Sequence, residues 1–515
     1  MTTTQDDKAR ELRVMFSARK DPALVMGRTL PQLVFLVLSG VFVVLFLRNL
    51  PSGGPNWWLL GLAVALAPVG WLRIRGRGVA DVGPALLADA GLRLVRQREF
   101  RGGPHRRTGT DTALTPRDQP RMPGALKSLE LFGFLVGGDA EERGVVFDRS
   151  DGTVAVVMQV TGKTYPLLDS SEANAYALGF QRMQDGLARR GSPVVGIQCL
   201  ERVIPDLGED ALREWQRRGG RGARFSRSAN QRLLQSEAGR GIEHQSLIVV
   251  RVDPRRARAQ VKEFGGGDEG RAALALKVSA GLQKDLEASG VQVLGWLPPR
   301  GIAAAVRSAL DPAAEGMLAR RGGGLGDDGG GDAGLPSGAS PVSMEPMSVM
   351  PARSYVWHED HVSRTWWIEE YPRSTSGVHV GFLQPLLLEV PWRHSVSILL
   401  QPLERRQAQR QITEQASTAS ATDKLDKKMG RRKTRAKERQ EADMDRREIE
   451  LVEGFANYRI ITLVTATARN VQELELVSAD IEAAINSCSM EGHIWYVETD
   501  QALYMGALPL GRGLL

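Results

Sequence analysis

Pro31–Leu47 reads PQLVFLVLSGVFVVLFL and Trp57–Leu72 reads WWLLGLAVALAPVGWL; neither run carries a charge. A hydrocarbon core about 30 Å thick takes about 20 helical residues, so each run falls slightly short. Leu30 and Leu50 extend the first, and Trp57, Trp58 and Trp71 suit the water interface. Between them, Arg48–Asn56 (RNLPSGGPN) is rich in turn formers. Backbone inside lipid must satisfy its own hydrogen bonds, so the sequence predicts a transmembrane helical hairpin over 30–72.

Charge orients it. Lys8, Arg10, Arg13, Arg19, Lys20 and Arg28 precede the hairpin, and Arg73, Arg75, Arg77, Arg93, Arg96, Arg98 and Arg101 follow it. The connecting turn holds only Arg48. The positive-inside bias therefore places both termini in the cytoplasm of a bacterium, with the chain in the inner membrane as a multi-pass protein. Two buried core helices would not carry such asymmetric flanks. A cleaved signal peptide would not be followed at once by a second apolar run.

The rest of the 515 residues is ordinary in composition, with 42% hydrophobic residues and a mean hydropathy of −0.23. The net charge of +7 gathers near the hairpin, which favours anionic lipid headgroups over nucleic acid as its first explanation. Cys199 and Cys488 stand far apart and suggest neither a disulfide framework nor a zinc site.

Along the chain, 1–29 reads as a cytoplasmic arm and 73–123 as an amphipathic membrane-surface helix followed by a linker. A first α+β module is expected over 124–321. Its strands are Gly152–Thr161, Val194–Leu200, Ser246–Val252 and Val291–Trp296. Asp169–Glu172 opens a helix whose Ala173, Tyr176, Phe180, Met183 and Leu187 share one face. Residues 210–235 read as an arginine-rich helix. The glycine-rich stretch 322–350 reads as a flexible linker. A second module is expected over 351–515, with strands at 365–371, 395–400, 459–465 and 493–497. Its helix is capped by Asn470–Glu473 and buries Leu474, Val477, Ile481 and Ile485. Between these, 404–450 reads as a charged helical arm whose basic half holds Lys424, Lys427, Lys428, Arg431, Arg432, Lys433, Arg435 and Lys437. That cluster is either solvated against its own acidic half or a contact for a protein partner. With no aromatic interleaving, nucleic acid is not expected to bind directly. The order of elements suggests split-βαβ modules, hence an α+β fold behind a helical hairpin.

Chemical motifs are weak throughout. Gly162-Lys163-Thr164 ends like a phosphate loop, but Val157 stands where the first glycine belongs and Tyr165-Pro166 where a helix should start. Gly265–Gly270 lacks a following Lys-Ser/Thr pair and reads as a loop. His358-Glu-Asp-His361 has metal-like spacing without a third ligand; with His379 and His394 scattered, both read as surface histidines. No catalytic residue, cofactor or metal is expected.

Several segments together resemble a known family. Ser17–Asp21 before the hairpin and Leu94–Arg101 after it look like the small PrgI-like two-helix subunit of type IV secretion systems. Asp151-Gly with Val160–Gly162, Trp366–Arg373, Val396–Ile398 with Pro402, and Leu508-Pro-Leu-Gly511 resemble the amino-terminal, non-catalytic part of the CagE/TrbE/VirB-type secretion ATPase. In that family the motor follows the Leu-Pro-Leu-Gly segment. The resemblance implies a membrane-anchored docking subunit in an oligomeric secretion or conjugation apparatus, with the ATPase supplied in trans. The alternatives are a component of another export machine, such as an actinobacterial type VII system, and a membrane-tethered NTPase.

Overall fold

The computed structural model describes residues 30–49, 56–71, 99–102, 119–136, 141–162, 170–189, 191–205, 223–237, 242–320, 338–372, 378–403 and 457–513, with 13–14, 73–74, 77–78 and Trp215. The chain divides into two compact units, one holding the apolar runs and one holding a large sheet.

In the first unit the runs form helices α1 (Leu30–Asn49) and α2 (Trp57–Trp71). The 20 residues of α1 span about 30 Å at the usual helical rise. The 15 residues of α2 span only about 22 Å, and Pro68 interrupts its backbone ladder.

The second unit is α+β, and its described residues contain a thirteen-stranded sheet whose ladders are all antiparallel. Its first half runs β2 (Leu129–Val136), β3 (Glu141–Asp148), β4 (Thr153–Gly162), α3 (Ser170–Leu187), β5 (Val194–Pro205), α4 (Arg224–Glu237), β6 (Ile242–Val252), α5 (Gly267–Ala288), β7 (Val291–Trp296) and α6 (Pro299–Leu310), after a short edge strand β1 (Phe100–Arg101). Its second half runs β8 (Ser348–Pro351), β9 (Val356–His358), β10 (His361–Glu370), α7 (Gln384–Leu388), β11 (His394–Leu403), β12 (Asn457–Ala468), α8 (Val471–Ser487), β13 (Glu491–Ile494) and α9 (Thr499–Ala507).

The two halves repeat one pairing scheme. In the first, β2 pairs β3, β3 pairs β4, β4 pairs β6 and β7, and β5 pairs β6. In the second, β8 pairs β9, β9 pairs β10, β10 pairs β12 and β13, and β11 pairs β12. The central strand of each half has one edge divided between two partners. β4 gives its start to β3 and its end to β7, and β10 gives its start to β9 and its end to β13. The halves join where β5 and β11 pair, from His394 opposite Val203 to Leu400 opposite Ile197.

Side chains alternate across the sheet, so each strand feeds two helix layers. Val154, Val156 and Met158 pack with Ala272, Leu282 and Leu286 of α5, while Ala155 and Val157 pack with α6 and α9. Leu474, Val477, Ile481 and Ile485 of α8 are buried against Val362, Trp366 and Val464, as their spacing requires. Asn470 caps that helix, its Oδ1 accepting from the Glu473 amide at 2.9 Å.

Two expectations are corrected. Residues 338–350, read as linker, carry a 3-10 turn and the start of β8, with Met344 and Val349 buried. Phe100, read as the last residue of a surface helix over Ala80–Phe100, instead pairs with β8, as does Arg101. Four strands that the sequence reading missed, β2, β3, β8 and β9, extend the halves outward. Residues 75–76, 79–98 and 103–118, residues 1–29 outside 13–14, and the arm 404–450 lie outside the described residues.

Candidate functional site

Two places stand out for their chemistry: the helical pair and the seam between the halves. In the pair, Ser39 Oγ donates to the Ala63 carbonyl at 2.9 Å, and the Phe46 and Trp57 rings lie 5.7 Å apart. A Cβ at Gly70 would meet Leu36 Cγ at 2.8 Å and the Gln32 carbonyl oxygen at 2.9 Å, so only glycine allows this approach. The remaining surface is apolar and exposed: Val37 is 66% and Val44 63% accessible. Only 17% of the apolar window of α1 is buried, unlike a soluble-core helix. Among the described residues one helix, α1, is long and apolar enough to cross a membrane by length and composition; α2 is shorter. Of the residues expected to bound the spans, Pro31 stands in the first turn of α1, and Leu47 and Trp57 are exposed near the helix ends. Leu72 lies outside the described residues, as do Lys424, Lys427, Lys428, Arg431, Arg432, Lys433, Arg435 and Lys437.

At the seam the polar groups are buried and matched. The Gln198 side chain on β5 donates to Ser397 Oγ at 3.0 Å and to the Leu508 and Met505 carbonyls at 3.0 and 3.2 Å. Its Oε1 accepts from the Gly511 amide at 2.8 Å. Ser395 and Ser397 on β11 donate to the Gly506 and Met505 carbonyls. These bonds satisfy carbonyls that the end of α9 would otherwise leave without partners. Gly511 adopts φ +62°, a left-handed turn that lets Leu508-Pro-Leu-Gly511 fold back onto the sheet. Arg251, on β6, continues the clamp: it donates to the Gly511 carbonyl at 3.1 Å and to Thr153 Oγ1 at 2.9 Å, and pairs with Asp151. Arg512 pairs with Asp148 at 3.1 Å. Burial pushes the Asp148 carboxyl up, but hydrogen bonds from Ser150 and Ser128 and the Arg512 charge outweigh it and hold it low.

A second polar group lies further along the seam. Buried Arg202 donates to Gln245 Oε1 at 2.7 Å and to Ser308 Oγ, and burial pulls its pKa down to about 10. Arg393 donates to the Ser308 carbonyl at 3.1 Å and pairs with Glu315.

The candidate motifs fall out differently. His358 is not at the surface but fully buried. Its Nδ1 lies 2.6 Å from the Leu310 carbonyl and its Nε2 2.6 Å from Ser363 Oγ, which reaches Thr467 Oγ1 at 2.7 Å. Burial lowers its pKa to about 4, so the ring is neutral and donates from Nδ1 to the carbonyl. His394 is buried too, between the Trp392 and Leu386 carbonyls. His358 closes β9 and His394 opens β11. Gly162 closes β4 opposite Val291, and Val157 is buried inside that strand. Gly265 and Gly266 make the turn expected, but Gly267–Gly270 already belong to α5. Cys199 and Cys488 are free thiols, and burial pushes Cys199 up to about 11. Among the described residues no cluster of three His, Cys, Asp or Glu side chains could hold a metal. The sequence reading did not find the Gln198 clamp; the signal was a lone glutamine inside the apolar strand VVGIQCL.

In comparisons with known proteins, no family model and no curated sequence matches this chain.

Proposed function

We propose that the chain is an inner-membrane structural and docking subunit of a type IV-like secretion or conjugative transfer apparatus. In this reading α1 and α2 cross the bilayer as a hairpin with both termini cytoplasmic. The body positions an ATPase and other subunits of an oligomeric complex and is not itself the enzyme. The observation that carries it is the exposed apolar surface of the helical pair, joined in one chain to a large α+β body. Support for two split-βαβ modules comes from the strand orders β5-β6-β4-β7 and β11-β12-β10-β13, each module having, in chain order, a helix after its first strand (β4, β10) and its third (β6, β12). Support for a docking role comes from the Leu508–Gly511 segment, held by buried hydrogen bonds at the point where the resembling family passes into its motor.

Cysteine labelling in intact cells tests the topology. A membrane-impermeant reagent should modify Gly53→Cys, between the two apolar runs in sequence, but should reach exposed Lys284→Cys only after permeabilisation. Labelling of Lys284→Cys in intact cells would reverse the topology and remove the cytoplasmic docking role.

A further inference from the structure

Helix α4 leaves the hairpin connection between β5 and β6, and its side chains from Arg224 to Leu233 stand in solvent except Ala229, which is half-buried. At 100° per residue, Phe225, Ala229 and Leu233 share one face; Arg224 and Arg227 lie on the opposite side, and Arg232, seven residues on from Phe225, borders the apolar face. Phe225 is 77% and Leu233 58% accessible, unusual for large apolar side chains spaced along one helix. The sequence around them is strongly basic. From 213 to 232 stand Arg213, Arg217, Arg218, Arg221, Arg224, Arg227 and Arg232, with Glu214 as the lone acid.

We propose that α4 lies on an anionic phospholipid surface, with Phe225, Ala229 and Leu233 sunk into the headgroup–acyl boundary and the arginines among the phosphates. The inference rests on the membrane-anchored reading of the helical pair. Three observations select this occupant. A helix that is polar overall, with an apolar face and arginines opposite it (Arg224, Arg227) and at its border (Arg232), has the composition of interfacial helices. A nucleic acid would take up the arginines but leave Phe225 and Leu233 in water. A second copy of the chain would bring the same basic helix against itself. Each basic side chain held at an anionic leaflet adds attraction that fades within a Debye length, about 8 Å at physiological salt.

The test uses the full chain in lipid nanodiscs, carrying an environment-sensitive dye on a single cysteine, with Cys199 and Cys488 replaced by alanine. The dye is placed at Val44 in α1, at Ala229 on the apolar face of α4, or at Gln231 on its polar face. With phosphatidylglycerol present, the Ala229 dye should shift to the blue and the Gln231 dye should not. That shift should be absent in pure phosphatidylcholine, reversed by high salt in the unaltered helix, and lost in R224E/R227E/R232E. A Val44 dye in an apolar setting with an unshifted Ala229 dye overturns the lipid contact and leaves the hairpin standing. A Val44 dye in water overturns the anchored reading itself. Binding of added duplex DNA that disappears in the triple variant, with Ala229 unshifted, would assign the helix to nucleic acid instead and overturn the proposal.

Discussion

The two halves of the sheet share a pairing scheme but are held together by different chemistry. Toward α5 the first is aliphatic: Val154, Val156, Met158, Ile248, Val250 and Val252 face Leu274, Leu282 and Leu286, while its buried Gln198, Arg202 and Arg251 lie on the other face of the sheet. The second buries hydroxyls, a cation and imidazoles in the corresponding strands. Thr365 meets Thr465 at 2.9 Å, Ser363 meets Thr467, and Tyr371 meets Thr462 at 2.7 Å. Arg364, buried in β10, is held by both Glu475 oxygens at 3.0 and 2.6 Å and by Ser478. The ladder pattern therefore tolerates either solution, provided every buried polar group finds a partner. The halves should differ in what disrupts them: cavities and stray hydroxyls in the first, protonation and broken pairs in the second.

The largest effect is expected where the halves meet. α9 belongs to the second half in sequence, yet Leu503, Tyr504, Leu508 and Leu510 pack in one cluster with Leu131, Val157, Leu200 and Val249. Gln198→Leu keeps the volume but leaves the Gly511 amide without its buried partner and takes one of two donors from the Leu508 carbonyl, which keeps the Leu510 amide. An orphaned group costs about 1–3 kcal/mol, so a loss of up to about 3 kcal/mol is expected. Denaturant unfolding of the full chain should keep one transition at a lower midpoint, with amide protection lost first over 505–511. An unchanged midpoint would mean that apolar packing alone joins the halves.

Acid should then separate them. The folded pKa of His358, about 4, lies below the ordinary value of 6.5. Between those values the unfolded chain binds a proton that the folded chain does not, so stability falls as pH drops from about 6.5 and the full loss is reached below about 4. For this buried ring the loss is on the order of 3 kcal/mol at most. Burial lowers His361 and His394 as well, with the Trp392 and Leu386 carbonyls opposing it at His394. Hydrogen exchange at pH 5, corrected for intrinsic rates, should show protection falling in β10 and β12 while β4 and β6 hold. His358→Gln, which can still donate to Leu310 and accept from Ser363, should flatten that difference. Equal losses in both halves would break the comparison.

These same differences explain what the sequence disclosed. The central strands and α8 were legible because alternation and helical spacing follow from burying one face. The hairpin runs were legible from length and lack of charge. The repeat was not, since TVAVVMQV and HVSRTWWI share no pattern beyond being buried, and α3 is replaced by the five-residue α7. The outer strands β2 and β3 were hidden by Gly133 and by the charged EERGVVFD. Glycine is needed at 144, where a Cβ would meet Ile302 Cδ1 at 2.6 Å and the Leu297 carbonyl at 2.8 Å. The Gln198 clamp depends on partners 199 to 313 residues away along the chain, which no local pattern can report.

The smallest effect isolates the chemistry of a single cross-strand pair. Thr365 and Thr465 face each other beneath α9, where a Cβ on Gly506 would fall 3.4 Å from Thr365 Cγ2 and closer still to Thr465. Val157 and Val249 face each other on the same side of the first half, fully buried. Thr465→Val leaves the Thr365 hydroxyl buried without that partner and should cost about 1–2 kcal/mol. Val157→Thr places a hydroxyl among aliphatic neighbours and should cost a similar amount, about 1–3 kcal/mol. The double variant Thr365→Val/Thr465→Val should recover most of the single loss, because removing both partners leaves no orphan. A double-mutant cycle on denaturant midpoints measures this directly, since contacting residues couple where distant ones add. If the double variant is as unstable as the sum of its singles, the hydroxyl pair supports the sheet through contacts beyond each other, and the second half is not a polar counterpart of the first.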